Sequence, residues 1–93
     1  ALKVRNVKTD VETEIPVEGV FIAVGIVPGT AKFKGLVDLD ESGYIIAGED
    51  GVTSTPGIFA AGDIRTKNLR QVVTAVADGA NAVASVQRYL MEY

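Results

Sequence analysis

An α/β fold is what the sequence predicts, and three observations predict it. Short apolar runs rich in β-branched residues come first, glycine-marked turns break them up, and one long segment with helical apolar spacing closes the chain. At 93 residues this is one small domain's worth of polypeptide, able to bury roughly 60 to 65% of its unfolded surface. A two-domain enzyme does not fit within it.

Leu2 to Lys8 nearly alternates apolar and polar, and Glu12 to Val17 repeats the pattern after the polar break Thr9-Asp10. This predicts a β-hairpin. Val20-Phe-Ile-Ala-Val24 is a continuous apolar run between Gly19 and Gly25, the pattern of a strand buried on both faces. Pro28-Gly29 ends it, and Thr30 to Gly35 has room for one helical turn at most. An acidic loop, Asp38 to Gly43, leads to a short strand at Tyr44 to Ala47, and a second loop runs from Gly48 to Pro56.

Ile58-Phe-Ala-Ala61 predicts a second buried strand, of the short parallel type, ending at Gly62-Asp63. The long helix follows. Val72, Val76, Ala80, Val83, Val86 or Gln87, and Leu90 recur at helical steps, which predicts that this stripe faces a core. Asn68 is the expected N-cap, with Gln71 three residues on. Ala75, Ala77, Gly79, Ala80, Ala82 and Ala84 keep the helix narrow, suited to close packing on a sheet.

Composition excludes several chemistries. There is no Cys and no His, which removes disulfides, thiolate metal sites, cysteine nucleophiles and the commonest general base. With 9 Lys and Arg against 12 Asp and Glu, the net charge of −3 argues against a nucleic-acid footprint. No apolar run approaches a membrane span, and the N-terminus is no signal peptide. The expectation is a soluble, cytoplasmic protein. Asp38, Asp40, Glu41, Glu49 and Asp50 lack the spacing of a calcium loop and read as solvated loop charge, so no metal site is expected. Ala1 in place of an initiating Met suggests a piece cut from something longer.

Two places could carry ligand chemistry. A carboxylate at the end of a strand, as at Asp63, can accept hydrogen bonds from the vicinal hydroxyls of a ribose or ribitol, and Gly62 lets a backbone approach closely. The same two residues also suit an ordinary turn. At the helix start, Asn68-Leu-Arg-Gln-Val72, free first-turn amides and about half a positive charge favour a ligand that becomes anionic. The alternative there is a plain capped helix.

Thr53-Ser-Thr-Pro-Gly-Ile-Phe-Ala-Ala-Gly-Asp63 resembles the second flavin-contacting motif of the pyridine nucleotide–disulfide oxidoreductases. Gly19 to Gly25 with Pro28 and Thr30 resembles their crossing from the NADPH domain back to the FAD domain. Arg70-Gln71, Ala77-Asp78-Gly79-Ala80 and Arg88-Tyr89-Leu90 are similar to the last helix of the low-molecular-weight thioredoxin reductases. The flavoprotein subunit of alkyl hydroperoxide reductase and the ferredoxin–NADP reductases share the Gly-Asp motif.

The resemblance implies a fragment of a three-layer ββα FAD/NAD(P)-binding fold, with residues 1–25 as the tail of the NADPH-binding domain and crossover strand and 26–93 as the C-terminal part of the FAD-binding domain. It implies FAD as cofactor, held by Gly62, Asp63, Arg70, Gln71 and Val72, with the backbone amides of the last three beside the isoalloxazine. NADPH is then the co-substrate and thioredoxin the substrate of the parent enzyme. The family's first FAD motif, its NADPH loop and its redox cysteine pair are absent from this sequence, so no catalytic residue is expected in it. The isolated chain is expected to be inactive and to form a homo-oligomer in place of the missing N-terminal part of the enzyme. The competing reading is a free-standing α/β binding or oligomerisation module.

Overall fold

The computed structural model describes residues 1–92; Tyr93, the last residue of the second expected stretch, lies outside them. Two strands, a 3₁₀ turn and one helix follow in that order. β1 (Leu2–Arg5) and β2 (Glu12–Ile15) pair antiparallel, Leu2 opposite Ile15 and Arg5 opposite Glu12. Asn6 builds the turn, its side-chain oxygen accepting from the N–H groups of Lys8 (2.9 Å) and Thr9 (3.2 Å), while Asp10 takes the left-handed φ of 59° that Asp tolerates. The hairpin is therefore present as expected, slightly shorter. It stands away from the rest, and the molecule measures 64 × 27 × 20 Å.

The strand expected at Val20 to Val24 does not form. Phe21, Ile22 and Val24 are exposed and without regular structure. A strand is held by a ladder to a neighbour, and among the described residues none runs beside this segment.

Folding becomes tight from Thr30 onward. Ala31–Phe33 makes the single 3₁₀ turn expected there. Asp38 to Asp40 and Tyr44 to Ile46 then form a small hairpin, closed by Asp40 N–H to Tyr44 C=O (2.8 Å) and Ile46 N–H to Asp38 C=O (3.0 Å). The other edge of Ile45 is bonded in parallel sense, its N–H to Ile64 C=O and its C=O from Thr66 N–H, both 2.8 Å. The core lies here: Val37, Ile45, Ala47 and Ala60 are buried, with Phe33, Leu39, Ile58 and Ile64 packed against them.

The expected parallel strand at Ile58 to Ala61 is reduced to one antiparallel bridge, Val52 with Phe59, and one bond, Ala60 N–H to Gly51 C=O (2.8 Å). Tyr44 to Ala47 likewise forms isolated bridges rather than a named strand. Ala60 is buried but Ala61 is exposed, so this segment is not buried on two faces. One rung on one side is too little to extend a strand.

α1 spans Val72–Glu92, and its orientation corrects the expectation from apolar spacing. Val72, Val76, Val83 and Leu90 are exposed, whereas Asp78 and Ser85 are buried and Ala75, Ala82 and Tyr89 half-buried. The two faces differ by one residue step, roughly 100° about the axis. Polar anchors set the rotation: Ser85 Oγ donates to Asp50 C=O (2.7 Å), and the rings of Tyr89 and Phe59 meet edge to face at 6.1 Å. Close approach does the rest. A Cβ on Gly51 would lie 2.7 Å from Ala60 C=O and 3.5 Å from Ala82 Cβ.

The helix also starts later than Asn68. Ala75 N–H bonds Gln71 C=O (3.0 Å) as the first intrahelical pair, and Thr74 Oγ1 reaches back to accept the Gln71 N–H at 3.0 Å. Gln71 is thus the capping position, with Thr74 closing the box from the third helical residue.

Candidate functional site

The chain turns at Gly62 with φ of +86°, a conformation that L side chains adopt only at a cost. The buried Gly62 N–H donates to Asp78 Oδ2 at 2.8 Å. Asp63, next along, is exposed. Among the described residues its carboxylate has no hydrogen bond or ion pair, while its main-chain carbonyl accepts from Arg70 Nε at 3.0 Å.

Arg70 closes the corner from the other side. Its guanidinium stacks over the Tyr44 ring, 3.7 Å from the centroid, and a terminal nitrogen donates to Arg65 C=O at 3.1 Å. Asp63, Arg70, Gln71 and Val72 line one open pocket of about 610 Å³ together with Ala75 and Val76. The structure therefore gathers four of the five residues singled out in the sequence, with Gly62 directly behind Asp63. Because Thr74 takes the Gln71 N–H, the amides facing the pocket without intrahelical acceptors begin at Val72.

Behind this corner sits a carboxylate that spacing alone presents as an ordinary helical residue. Asp78 pairs twice with Arg65, Nε to Oδ2 and a terminal nitrogen to Oδ1, both at 2.7 Å, and Lys67 Nζ reaches Oδ2 at 2.9 Å. All three side chains are buried. The Arg65 guanidinium holds the Asp78 carboxyl well below the usual carboxylate range; burial opposes this, and Lys67 and the Gly62 N–H reinforce it. Arg65 is pushed up in turn, chiefly by its bond to Asp78. One signal for this cluster was legible. Asp78 has no basic residue three or four positions away on its own helix, so its partners had to come from elsewhere; of the three cations just upstream, Arg65, Lys67 and Arg70, the first two supply them.

A larger opening, of about 780 Å³, lies elsewhere, along Lys34 to Glu41 with Gly43, Ser54 and Thr55. One of its acidic residues serves a turn: Asp40 Oδ1 accepts from Ser42 and Tyr44 N–H. No buried polar side-chain atom is left unpaired among the described residues; the smaller pocket at Asp63 is the candidate site because four of the five residues singled out in the sequence converge there.

Residues 1–79 match the family described as pyridine nucleotide-disulphide oxidoreductase. The chain belongs to that family. The Listeria innocua thioredoxin reductase is 53% identical over 81 residues, covering 87% of this chain and 25% of the relative. The mitochondrial thioredoxin reductase of Kluyveromyces lactis is 44% identical over 94 residues, covering 99% and 27%. Among solved structures, thioredoxin reductase from Lactococcus lactis superposes with a TM-score of 0.83 at 42% identity, over 98% of this chain and 30% of that one. The chain thus spans about a quarter of the length of these curated relatives. Within the family it is an α/β segment of the thioredoxin reductase fold, and no helix among its described residues is long and apolar enough to cross a membrane.

Proposed function

We propose that this segment forms the C-terminal, flavin-facing part of an NADPH-dependent thioredoxin reductase, with residues 1–25 belonging to the NADPH-binding domain and 26–93 to the FAD-binding domain. The observation that carries the reading is the pocket in which Asp63, Arg70, Gln71 and Val72 converge, the solvent-facing Asp63 carboxylate having no hydrogen bond or ion pair among the described residues. The family membership and the thioredoxin reductase relatives support it, and favour it over the alkyl hydroperoxide and ferredoxin–NADP reductases.

The residues present suit FAD. Asp63 offers both carboxylate oxygens to ribitol hydroxyls, and Gly62, lacking Cβ, keeps the approach open. Arg70 is tied to main-chain carbonyls and to Tyr44, so its charge is fixed at the pocket rim. The first-turn amides from Val72 and the helix dipole stabilise negative charge by up to about 2 kcal/mol, equal to roughly 40 mV in a two-electron couple. The flavin, when bound, supplies two-electron transfer from NADPH to a disulfide, and thioredoxin is the substrate this assigns to the whole enzyme. The dithiol must come from outside these residues, since the chain has no Cys.

The exposed runs at Val20 to Val27 and along Val72, Val76, Val83 and Leu90 are apolar faces of a size that monomers seldom leave open. They suit a segment covered by the N-terminal remainder of the enzyme, or by a second copy when isolated. The test is a chimera carrying this segment in the frame of the Lactococcus lactis reductase. It should purify yellow with FAD and lose flavin on Asp63→Ala; a colourless chimera that nevertheless folds would refute the flavin reading.

A further inference from the structure

The loop from Gly62 to Arg65 is held from two sides. From the pocket side, Arg70 bonds the carbonyls of Asp63 (3.0 Å) and Arg65 (3.1 Å). From the helix side, one carboxylate bonds the Gly62 N–H (2.8 Å) and grips the Arg65 guanidinium twice (2.7 Å each). Gly62 and Arg65 bracket Asp63, and both are anchored on the same buried side chain. We propose that Asp78 is a positioning residue for the flavin pocket: it fixes the Gly62–Arg65 loop, and through that loop the orientation of Asp63 and the seat of Arg70. This rests on the flavin reading above.

The chemistry explains why a carboxylate stands here. Gly62 N–H and Arg65 Nε both converge on Oδ2, and Lys67 Nζ joins them at 2.9 Å. An ionised carboxylate is acceptor-only, with room for several donors, whereas a neutral amide offers one acceptor and two donors and would face Arg65 with an N–H group. The loop would then lose either the Gly62 bond or one arm of the Arg65 pair. Charge-assisted bonds are roughly twice as strong as neutral ones, so the corner loosens even where the side-chain shape is kept. Arg70 follows, because one of its two carbonyl acceptors belongs to Arg65.

A purely structural role predicts something different, and Ser85 provides the control. It lies on the same buried face of α1, and its hydroxyl donates to Asp50 C=O; among the described residues its side chain makes no hydrogen bond to the 62–65 loop. In the chimera, Asp78→Asn should raise the FAD dissociation constant about tenfold, equal to 1.4 kcal/mol, and displace the flavin absorption maximum. KM for NADPH should hold. Ser85→Ala should lower the melting temperature while leaving both flavin readouts as in the parent, and Asp78→Glu should recover part of the affinity lost in Asp78→Asn. Should Asp78→Asn yield no folded protein, Lys67→Met replaces it, since it redistributes the donors on Oδ2 while sparing the Arg65 pair; it should displace the flavin maximum where Ser85→Ala does not. Unchanged affinity and spectrum in the folded variant, or equal shifts in the Ser85 control, overturn the proposal. Loss of FAD on Asp63→Ala in the same series shows that the flavin reading stands independently, and a folded chimera without FAD overturns both.

Discussion

Arg65 and Asp78 form a buried two-bonded ion pair, 2.7 Å on each arm, that joins the loop after Ala61 to the second turn of the long helix. Buried pairs of this kind cost desolvation to assemble, yet removing one partner leaves an uncompensated charge inside. Asp78→Ala should therefore destabilise the chain by roughly 3 to 5 kcal/mol, read from urea unfolding followed by circular dichroism. The triple variant Arg65→Met, Lys67→Met and Asp78→Leu, which leaves no cation of this cluster behind, should recover most of that loss; failure to recover would mean the hydrogen bond to Gly62 outweighs the ion cluster.

Acid should expose the same pair. The folded state holds the Asp78 carboxyl below its ordinary value of 3.8, so the unfolded chain binds a proton more readily and stability rises with pH across that interval. The contribution is fully present at neutral pH and is lost as pH falls below the ordinary carboxylate range toward the folded value. Melting temperatures taken between about pH 5 and pH 1 should drop steeply in the parent sequence and less steeply in Asp78→Asn.

Helix capping separates the observed helix start from the one read in the sequence. Thr74 closes the box with the Gln71 N–H, so Thr74→Ala should cost about 1 kcal/mol. Asn68→Ala should change stability by less than half as much. The reverse order, in thermal unfolding of the two variants, would restore Asn68 as the cap.

Two glycines differ in what surrounds them. At Gly62, a Cβ would meet Ala75 Cβ at an ordinary 3.7 Å, so Gly62→Ala should cost only the backbone strain of its positive φ, roughly 1 to 2 kcal/mol. At Gly51 the same strain is joined by a 2.7 Å clash with Ala60 C=O. Gly51→Ala should unfold at the lower denaturant midpoint of the two, and would additionally push α1 away through Ala82.

The isolated chain should associate, since Phe21, Ile22, Val24, Val76 and Leu90 are all exposed. Sedimentation equilibrium should give a mass above the monomer's 9.8 kDa that rises with concentration. It should also show no NADPH-dependent disulfide reduction, having no thiol to carry it.

The sequence by itself determined the elements whose cause is local. Asn6 and Asp10 turn the hairpin, Pro28 and Gly29 stop the apolar run, and small, helix-favouring residues from Val72 onward build one helix. The motif ending at Asp63 and the Arg70-Gln71 pair were legible too, because a glycine free to take positive φ turns the chain after Ala61 and Gln71 stands at the helix start. Tertiary structure alone decided which way the helix faces and whether the apolar runs become strands. Val76 and Val83 satisfy helical spacing, but Asp78 and Ser85 have partners in Arg65, Gly62 and Asp50, and leaving buried polar groups unpaired costs more than exposing a few valines. Likewise Val20 to Val24 has every strand-forming side chain, yet a strand is a property of a pair, and its neighbour is not written in its own residues.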